Sequence, residues 1–227
     1  KVSTGVFAQA TYDLTDRFEI EVGARYSRDK QKQSGLLGLF PTPPLPGAID
    51  ASRPRFSDEN LTGKVALNFQ ATEDHFLYAF VANGFKTGGV DIPDGTFDSE
   101  KVVHYEAGWK ATLAAGRVRT QLDAFYMDYK DLQLNVFNPF SAQTEITNVG
   151  KSTIWGVEAQ MQGSFDALGF DFSAAYVKSE LGDVRAIDTR TLPGGAATGL
   201  GVQCPAGVPS NPPVCFNFTP FYQNLSG

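Results

Sequence analysis

The chain has 227 residues, of which 19% are charged and 42% hydrophobic, with 23 Gly, 18 Phe, 8 Tyr and a formal net charge of -6. That length suits one large or two small domains, and the negative charge argues against nucleic acid as the main partner, since its binders usually carry a basic patch. No run of about 18 apolar residues exists, which excludes a helical membrane span but not a strand barrel, in which half of each strand is polar.

Lys1-Val2-Ser3 does not open a signal peptide, because no apolar segment follows; a mature start and an internal start both stay open. Gly5 to Leu14 is the first predicted strand, with Val6, Ala8, Ala10, Tyr12 and Leu14 against Phe7, Gln9, Thr11 and Asp13. After a tight turn at Thr15-Asp16, Arg17 to Asp29 alternates most cleanly. Phe18, Ile20, Val22, Ala24 and Tyr26 share one face; Glu19, Glu21, Gly23, Arg25 and Ser27 share the other. Such a pair reads as a hairpin. The stretch 32–57 is a long loop, with Pro41, Pro43, Pro44, Pro46 and Pro54 forbidding a central strand.

Glu59 to Gln70 is the third strand, with Leu61, Val65, Leu67 and Phe69 opposed to Thr62, Lys64, Asn68 and Gln70. His75 to Thr87 is the fourth and alternates poorly: Phe76, Leu77, Tyr78, Ala79, Phe80 and Val81 are apolar on both faces. One face is expected to meet lipid and the other something outside this chain. Val102 to Leu113, Arg117 to Gln133, Thr147 to Gly163 and Gly169 to Leu181 are four further strands, and Phe221 to Gly227 begins a ninth. Ordinary strands run about 5–6 residues, whereas a tilted strand crossing a bilayer needs about 9–11, apolar outward and polar inward. These are of the second kind.

The connections alternate too. Short turns fall near residues 15, 72, 115 and 167, and long loops near 45, 94, 141 and 200. In an antiparallel meander this sorts every short turn to one end and every long loop to the other, as outer-membrane barrels do and soluble sandwiches have no reason to do. The predicted fold is all-β: an antiparallel up-and-down transmembrane barrel. Cys204 and Cys215 lie in the longest, Pro- and Gly-rich loop. Two cysteines so placed point to a local disulfide in an oxidising compartment; the other reading is two unpaired loop thiols.

Several segments then carry a family resemblance. Gly84-Phe85-Lys86-Thr87-Gly88-Gly89 resembles the G-F-K-S/T-G-G segment that closes a strand in TonB-dependent outer-membrane receptors. Tyr105-Glu106-Ala107-Gly108-Trp109-Lys110, Gly116-Arg117 and the run Ala124 to Gln133 resemble that family's Y-E-x-G-x-K … G-R … A-F-Y-x-D-Y-K-D-L-Q hairpin. Asn148-Val149-Gly150-Lys151 with Gly156-Val157-Glu158 is similar to its N-x-G-x … G-x-E strand, and Asn224-Leu225-Ser226-Gly227 to the start of the next strand. The resemblance implies TonB-dependent uptake of a scarce nutrient across the outer membrane of a Gram-negative bacterium, with ferric siderophores or other iron complexes first among the family's ligands. It implies no cofactor and no enzymatic activity. Its partners would be outer-membrane lipid, a plug domain, the TonB complex and a small iron chelate. The family's plug, coupling box and terminal aromatic strand are not visible in 1–227. Transporters of this type have about 22 strands, so the eight and part of a ninth predicted here read as a middle segment of a larger barrel. A passive porin-like channel and, with strand length against it, a soluble β-rich binding module are the alternatives.

No catalytic constellation is visible. His104 and Glu106 share a strand face, as paired metal ligands do, but a site needs three or more converging ligands and a polar lumen wall is the simpler reading. Glu19, Glu21, Arg25, Lys64, Glu106, Lys110, Arg119, Asp123 and Glu158 are expected to line the lumen, pairing with one another or with a plug. Trp155, Tyr126 and Tyr26 are candidates for the aromatic girdles of the lipid face. For ligand contact at the outer mouth the candidates are Arg53, Arg55, Lys86, His104, Phe137 and Phe140, with solvated loop charge the competing reading for the basic ones.

Overall fold

The structure is a computed structural model and describes residues 1–32, 55–91, 95–138, 143–187 and 222–224. Among these residues every regular element is a strand. In chain order they are β1 (Val2–Thr15), β2 (Phe18–Lys32), β3 (Arg55–Thr72), β4 (His75–Lys86), β5 (Gly89–Asp91), β6 (Gly95–Phe97), β7 (Glu100–Leu113), β8 (Val118–Lys130), β9 (Leu132–Asn138), β10 (Gln143–Val149), β11 (Ser152–Phe165), β12 (Leu168–Glu180), β13 (Arg185–Ile187) and β14 (Tyr222–Asn224). Eight of them form one antiparallel sheet in the order β1-β2-β3-β4-β7-β8-β11-β12. Its members run from 12 to 18 residues, which is bilayer-crossing length for tilted strands.

Turn chemistry holds the short end. Thr15 Oγ1 accepts from the Arg17 and Phe18 amides. Ala114, Ala115 and Gly116 turn with φ of 53°, 55° and 86°, the left-handed region that a two-strand turn requires. Backbone bonds then bridge neighbouring hairpins: Gln70 N–H donates to Arg17 C=O, Thr112 N–H to Asp74 C=O and Ser164 N–H to Arg117 C=O. All four short turns therefore lie side by side, and the strand ends at Lys32, Arg55, Lys86, Glu100, Lys130 and Ser152 lie at the opposite end.

Register fixes which residues share a face. One row crosses six strands as Val22, Val65, Val81, Tyr105, Tyr126 and Trp155. These side chains are 47, 50, 39, 51, 41 and 38% exposed. A continuous apolar face of this kind is foreign to a water-soluble surface and suits hydrocarbon. The buried apolar residues are few and small, Ala66 and Ala111 among them, because a single sheet has no second layer to bury against.

The opposite face carries polar rows. One reads Glu19, Asn68, Tyr78, Gly108, Asp123 and Glu158; the next reads Glu21, Ala66, Phe80, Glu106, Phe125 and Gly156. This is the alternation the sequence predicts, and it makes the second face the inner wall.

Three expectations change. The sixth and seventh predicted strands do not run unbroken through 133 and from 147. Asp131 adopts φ 56°, β11 begins only at Ser152, and the outer portions leave the sheet to pair as the separate hairpin β9–β10. The loop 88–101 holds a small hairpin, β5–β6. Tyr222–Asn224, expected to open a ninth strand, pairs with Arg185–Ile187 apart from the main sheet. A hairpin can pair locally wherever the chain doubles back, and alternation alone does not tell which ladder a strand joins.

Candidate functional site: the inner wall and the outer rim

The inner wall is built around β4. Tyr78 stacks between Phe76 and Phe80 at ring separations of 6.3 and 6.5 Å. The sequence left this second apolar face waiting for a partner outside the chain; much of its cover comes from adjacent strands. Lys110 Nζ stands 5.1 Å over the Tyr78 ring and Lys64 Nζ 5.1 Å over Phe80, cation–π placements that also neutralise the wall. Tyr78 donates its hydroxyl to Glu106 Oε1 at 2.8 Å. His104 meets Phe80 edge-on at 5.0 Å, and its Nε2 lies 3.2 Å from Glu106 Oε2.

The other lumen residues also have neighbours. Lys64 pairs with Glu21 at 3.2 Å. Asn68 donates to Glu19 at 2.7 Å, Arg25 Nε to Ser27 at 3.0 Å and Gln121 to Asp123 at 2.9 Å. Toward the turn end the wall holds an open polar pocket of about 540 Å³, lined by Lys110, Arg119, Gln121, Gln160 and Asp171 among others. Among the described residues no group of three or more His, Cys, Asp or Glu side chains is gathered as a metal would need.

At the outer end a hydrogen-bonded clasp joins the sheet to its two loop hairpins. The Gln133 side chain, almost wholly buried, donates to the carbonyls of Lys86, Thr87 and Asp98 at 3.1–3.3 Å. Its own N–H donates to Glu100 at 2.9 Å. Asn148 accepts from Asp98 N–H at 2.8 Å and donates to the carbonyls of Asp98 and Asp131 at 2.9 and 2.8 Å. Ser99 accepts from Gly88 N–H at 2.7 Å and donates to Asp58, which also accepts from Asn60. Ile146 N–H donates to Asp91 at 2.6 Å.

Asp58 stands near the outer end of β3, beyond the apolar level of Tyr26 and Leu61. Burial pushes its carboxyl up. The hydrogen bonds from Ser99, Asn60 and the Glu59 amide, with the charge of Lys101, outweigh that and hold it below the ordinary carboxylate value.

The motif residues divide between these two places. Gly84, Phe85, Lys86, Gly88 and Gly89 lead from β4 into the clasp, and Asn148 and Gly150 leave it for β11. Tyr105 belongs to the lipid-facing row; Glu106, Gly108, Gly156 and Glu158 belong to the wall. Sequence reasoning missed Asp58, Ser99 and Asp91, polar loop-end residues with no pattern of their own. Gln133 and Asn148 were visible as motif letters without a role.

The proposed ligand contacts do not converge. His104 is on the inner wall, at the level of Ala82 and Met127. Lys86 lies at the rim opposite Glu100, Phe137 on β9 opposite Thr144, and Arg55 on the outward face opposite Lys32. Arg53, Phe140, Cys204 and Cys215 lie outside the described residues. Tyr26, Tyr126 and Trp155 share the outward face; Trp155 packs on Tyr176 at 5.7 Å and Tyr126 on Tyr105 at 6.5 Å.

Comparison with known proteins agrees with this geometry. Residues 1–219 match the family model described as TonB dependent receptor-like, beta-barrel. The pesticin receptor of Yersinia pestis is 29% identical over 181 residues, covering 77% of this chain and 25% of the relative. The metal-pseudopaline receptor CntO of Pseudomonas aeruginosa is 32% identical over 123 residues, 53% of this chain and 17% of the relative. The crystal structure of the ferric yersiniabactin uptake receptor FyuA from Yersinia pestis superposes with a TM-score of 0.62 at 27% identity, covering 79% of this chain and 27% of that one. The chain thus spans about a quarter of the length of the pesticin receptor and of FyuA. It belongs to the TonB-dependent receptor β-barrel family, a family of transport receptors and not of enzymes, in the outer membrane of a Gram-negative bacterium.

Proposed function

We propose that this member of the TonB-dependent receptor family forms part of the barrel of an active importer for a scarce nutrient, a ferric siderophore or similar metal chelate. The observation that carries the reading is the family match over nearly the whole chain, with relatives named as a metal-pseudopaline receptor and a ferric yersiniabactin uptake receptor. The wall and the rim suit it. An aromatic and charged inner surface, Phe76, Tyr78, Phe80, Lys64 and Lys110, offers stacking and paired charge to a plug domain and to a planar, charged chelate. The clasp presets two outer hairpins, which lowers the ordering cost of binding at the mouth.

The coupling partner is the TonB complex, reached through a plug, and the barrel domain extends over 1–227. We also propose that Cys204 and Cys215, which lie outside the described residues, join in a disulfide; it would close a ring of about a dozen residues and remove about 3 kcal/mol of unfolded-state freedom in the chain-entropy estimate. His104, Lys86, Phe137, Arg53, Arg55 and Phe140 remain the candidate contacts along the ligand's path.

The test is a binding panel. The full-length receptor in detergent is titrated with ferric hydroxamate, catecholate and mixed-ligand chelates, and a receptor-null, iron-starved strain is complemented for growth on each. Saturable binding of one class with matching growth is expected. Failure of every metal chelate to bind, with growth restored by none, would overturn the reading.

A further inference from the structure

The β3–β4 ladder stops at Gly63 and Asn83, although β3 continues outward to Arg55. Asn83 caps the split with its side chain: its Oδ1 accepts from Gly63 N–H at 2.7 Å and its Nδ2 donates to Leu61 C=O at 3.0 Å. Beyond this point the two strands part and leave an outward groove of about 350 Å³. Leu61, Phe85, Val103 and Tyr105 give it apolar walls, continuous with the lipid-facing row.

Lys101 and Lys130 stand at its outer end. They are direct cross-strand partners on the outward face, and both are exposed. Like charges placed directly opposite destabilise a ladder. Of the carboxylates nearby, Glu59 pairs with Arg28 at 3.2 Å and Asp128 Oδ2 with Lys151 at 3.5 Å, while Asp128 Oδ1 is buried without a hydrogen-bond partner. Among the described residues neither Lys101 nor Lys130 forms an ion pair, and Lys101 meets Asp58 only through the longer-range field. A second such pair, Lys32 opposite Arg55, lies on the same face at the outer end of β2–β3.

We propose that this groove binds a phosphorylated lipid of the outer leaflet, its phosphate bridging Lys101 and Lys130 and the start of an acyl chain lying along Leu61, Phe85, Val103 and Tyr105. The two ammonium groups rise four residues beyond Tyr105 and Tyr126 in their strands, which at about 3.3 Å per residue and a tilt near 45° puts them about 9 Å further out, at headgroup level. A dianionic phosphate between them turns a repulsive pair into a favourable one, and each basic side chain at such a surface contributes about fivefold in affinity.

The test follows thermal loss of the compact, heat-modifiable form of the full-length receptor. Titrants are bis-phosphorylated lipid A, its dephosphorylated form, and inorganic phosphate. Lys101→Gln with Lys130→Gln should weaken the stabilisation by phosphorylated lipid by at least tenfold in midpoint concentration, while Lys101→Arg with Lys130→Arg retains it. Without lipid the Gln variant should be at least as stable as wild type, because repulsion is relieved. A structural role for the lysines would give the opposite sign. If the double variant does not assemble, Lys130→Gln alone should show about a fivefold weakening. Equal stabilisation of wild type and variant, equal effects of the two lipids, or saturation by inorganic phosphate at the same concentration would each overturn the proposal.

Discussion

Tyr78 lies across Gly108, so close that a Cβ on Gly108 would stand 2.5 Å from the ring. The ring thereby covers a backbone that no side chain shields, and its hydroxyl reaches Glu106. Gly156 has the same relation to Phe125, with the Tyr176 carbonyl 2.5 Å from the Cβ position as well. A side-chain ring can swing aside; a backbone carbonyl within a ladder cannot. Gly156→Ala should therefore cost about 1–3 kcal/mol of barrel stability, the usual penalty for overpacking, and Gly108→Ala clearly less. Urea titration of the heat-modifiable band checks this, and equal costs would contradict the assigned packing.

Facing is tested by neighbours. Val22 is in the lipid row, while Glu21 holds Lys64 across the inner wall at 3.2 Å. Val22→Arg should cost about 2–4 kcal/mol in a bilayer and Glu21→Gln much less. Reversal of that order would invert the barrel.

The clasp predicts a local effect. Gln133→Ala leaves three carbonyls without their donor, a loss of about 1–3 kcal/mol, confined to the rim. Amide exchange should accelerate over 86–100 and 131–149 but not in β2 or β3, and Asn148→Ala should do the same. Ligand association should weaken with assembly intact. Uniform acceleration across the sheet would show that these residues support the barrel rather than the loops.

Acid should open the same rim. Asp58 is held below its ordinary value, so its contribution is present above the unfolded carboxylate pKa, near 3.9, and fades as pH falls through the lower folded value. Protease access to the 88–99 segment should rise at pH 3 relative to pH 7. Asp58→Asn should flatten that dependence. An unchanged acid response in the variant would assign it to another group.

Much of this architecture was legible because the bilayer imposes it. Period-two alternation in 18–26 and 102–113 fixed both strands and faces, and loop sorting fixed the two ends. What the alternation could not reveal was where strands leave the sheet. Asp131 ends β8 with φ 56°, β11 begins only at Ser152, and the residues between keep alternating in the hairpin they form instead. The aromatic ladder of β4 left its two faces undecided for a related reason. Phe76, Tyr78 and Phe80 alternate with equally apolar Leu77, Ala79 and Val81, and only register assigns the first set to the wall by placing Lys64, Lys110 and Glu106 around it. The clasp was hidden because its bonds join residues up to 55 positions apart, and no local pattern encodes such pairs.

Energy dependence separates active uptake from passive passage. Cells producing the full-length receptor are given a radiolabelled ferric chelate, with and without a protonophore that collapses the inner-membrane gradient. Accumulation should be saturable and abolished by the protonophore, while surface binding persists. Accumulation that rises linearly with chelate concentration and ignores the protonophore would contradict active uptake and identify a passive pore.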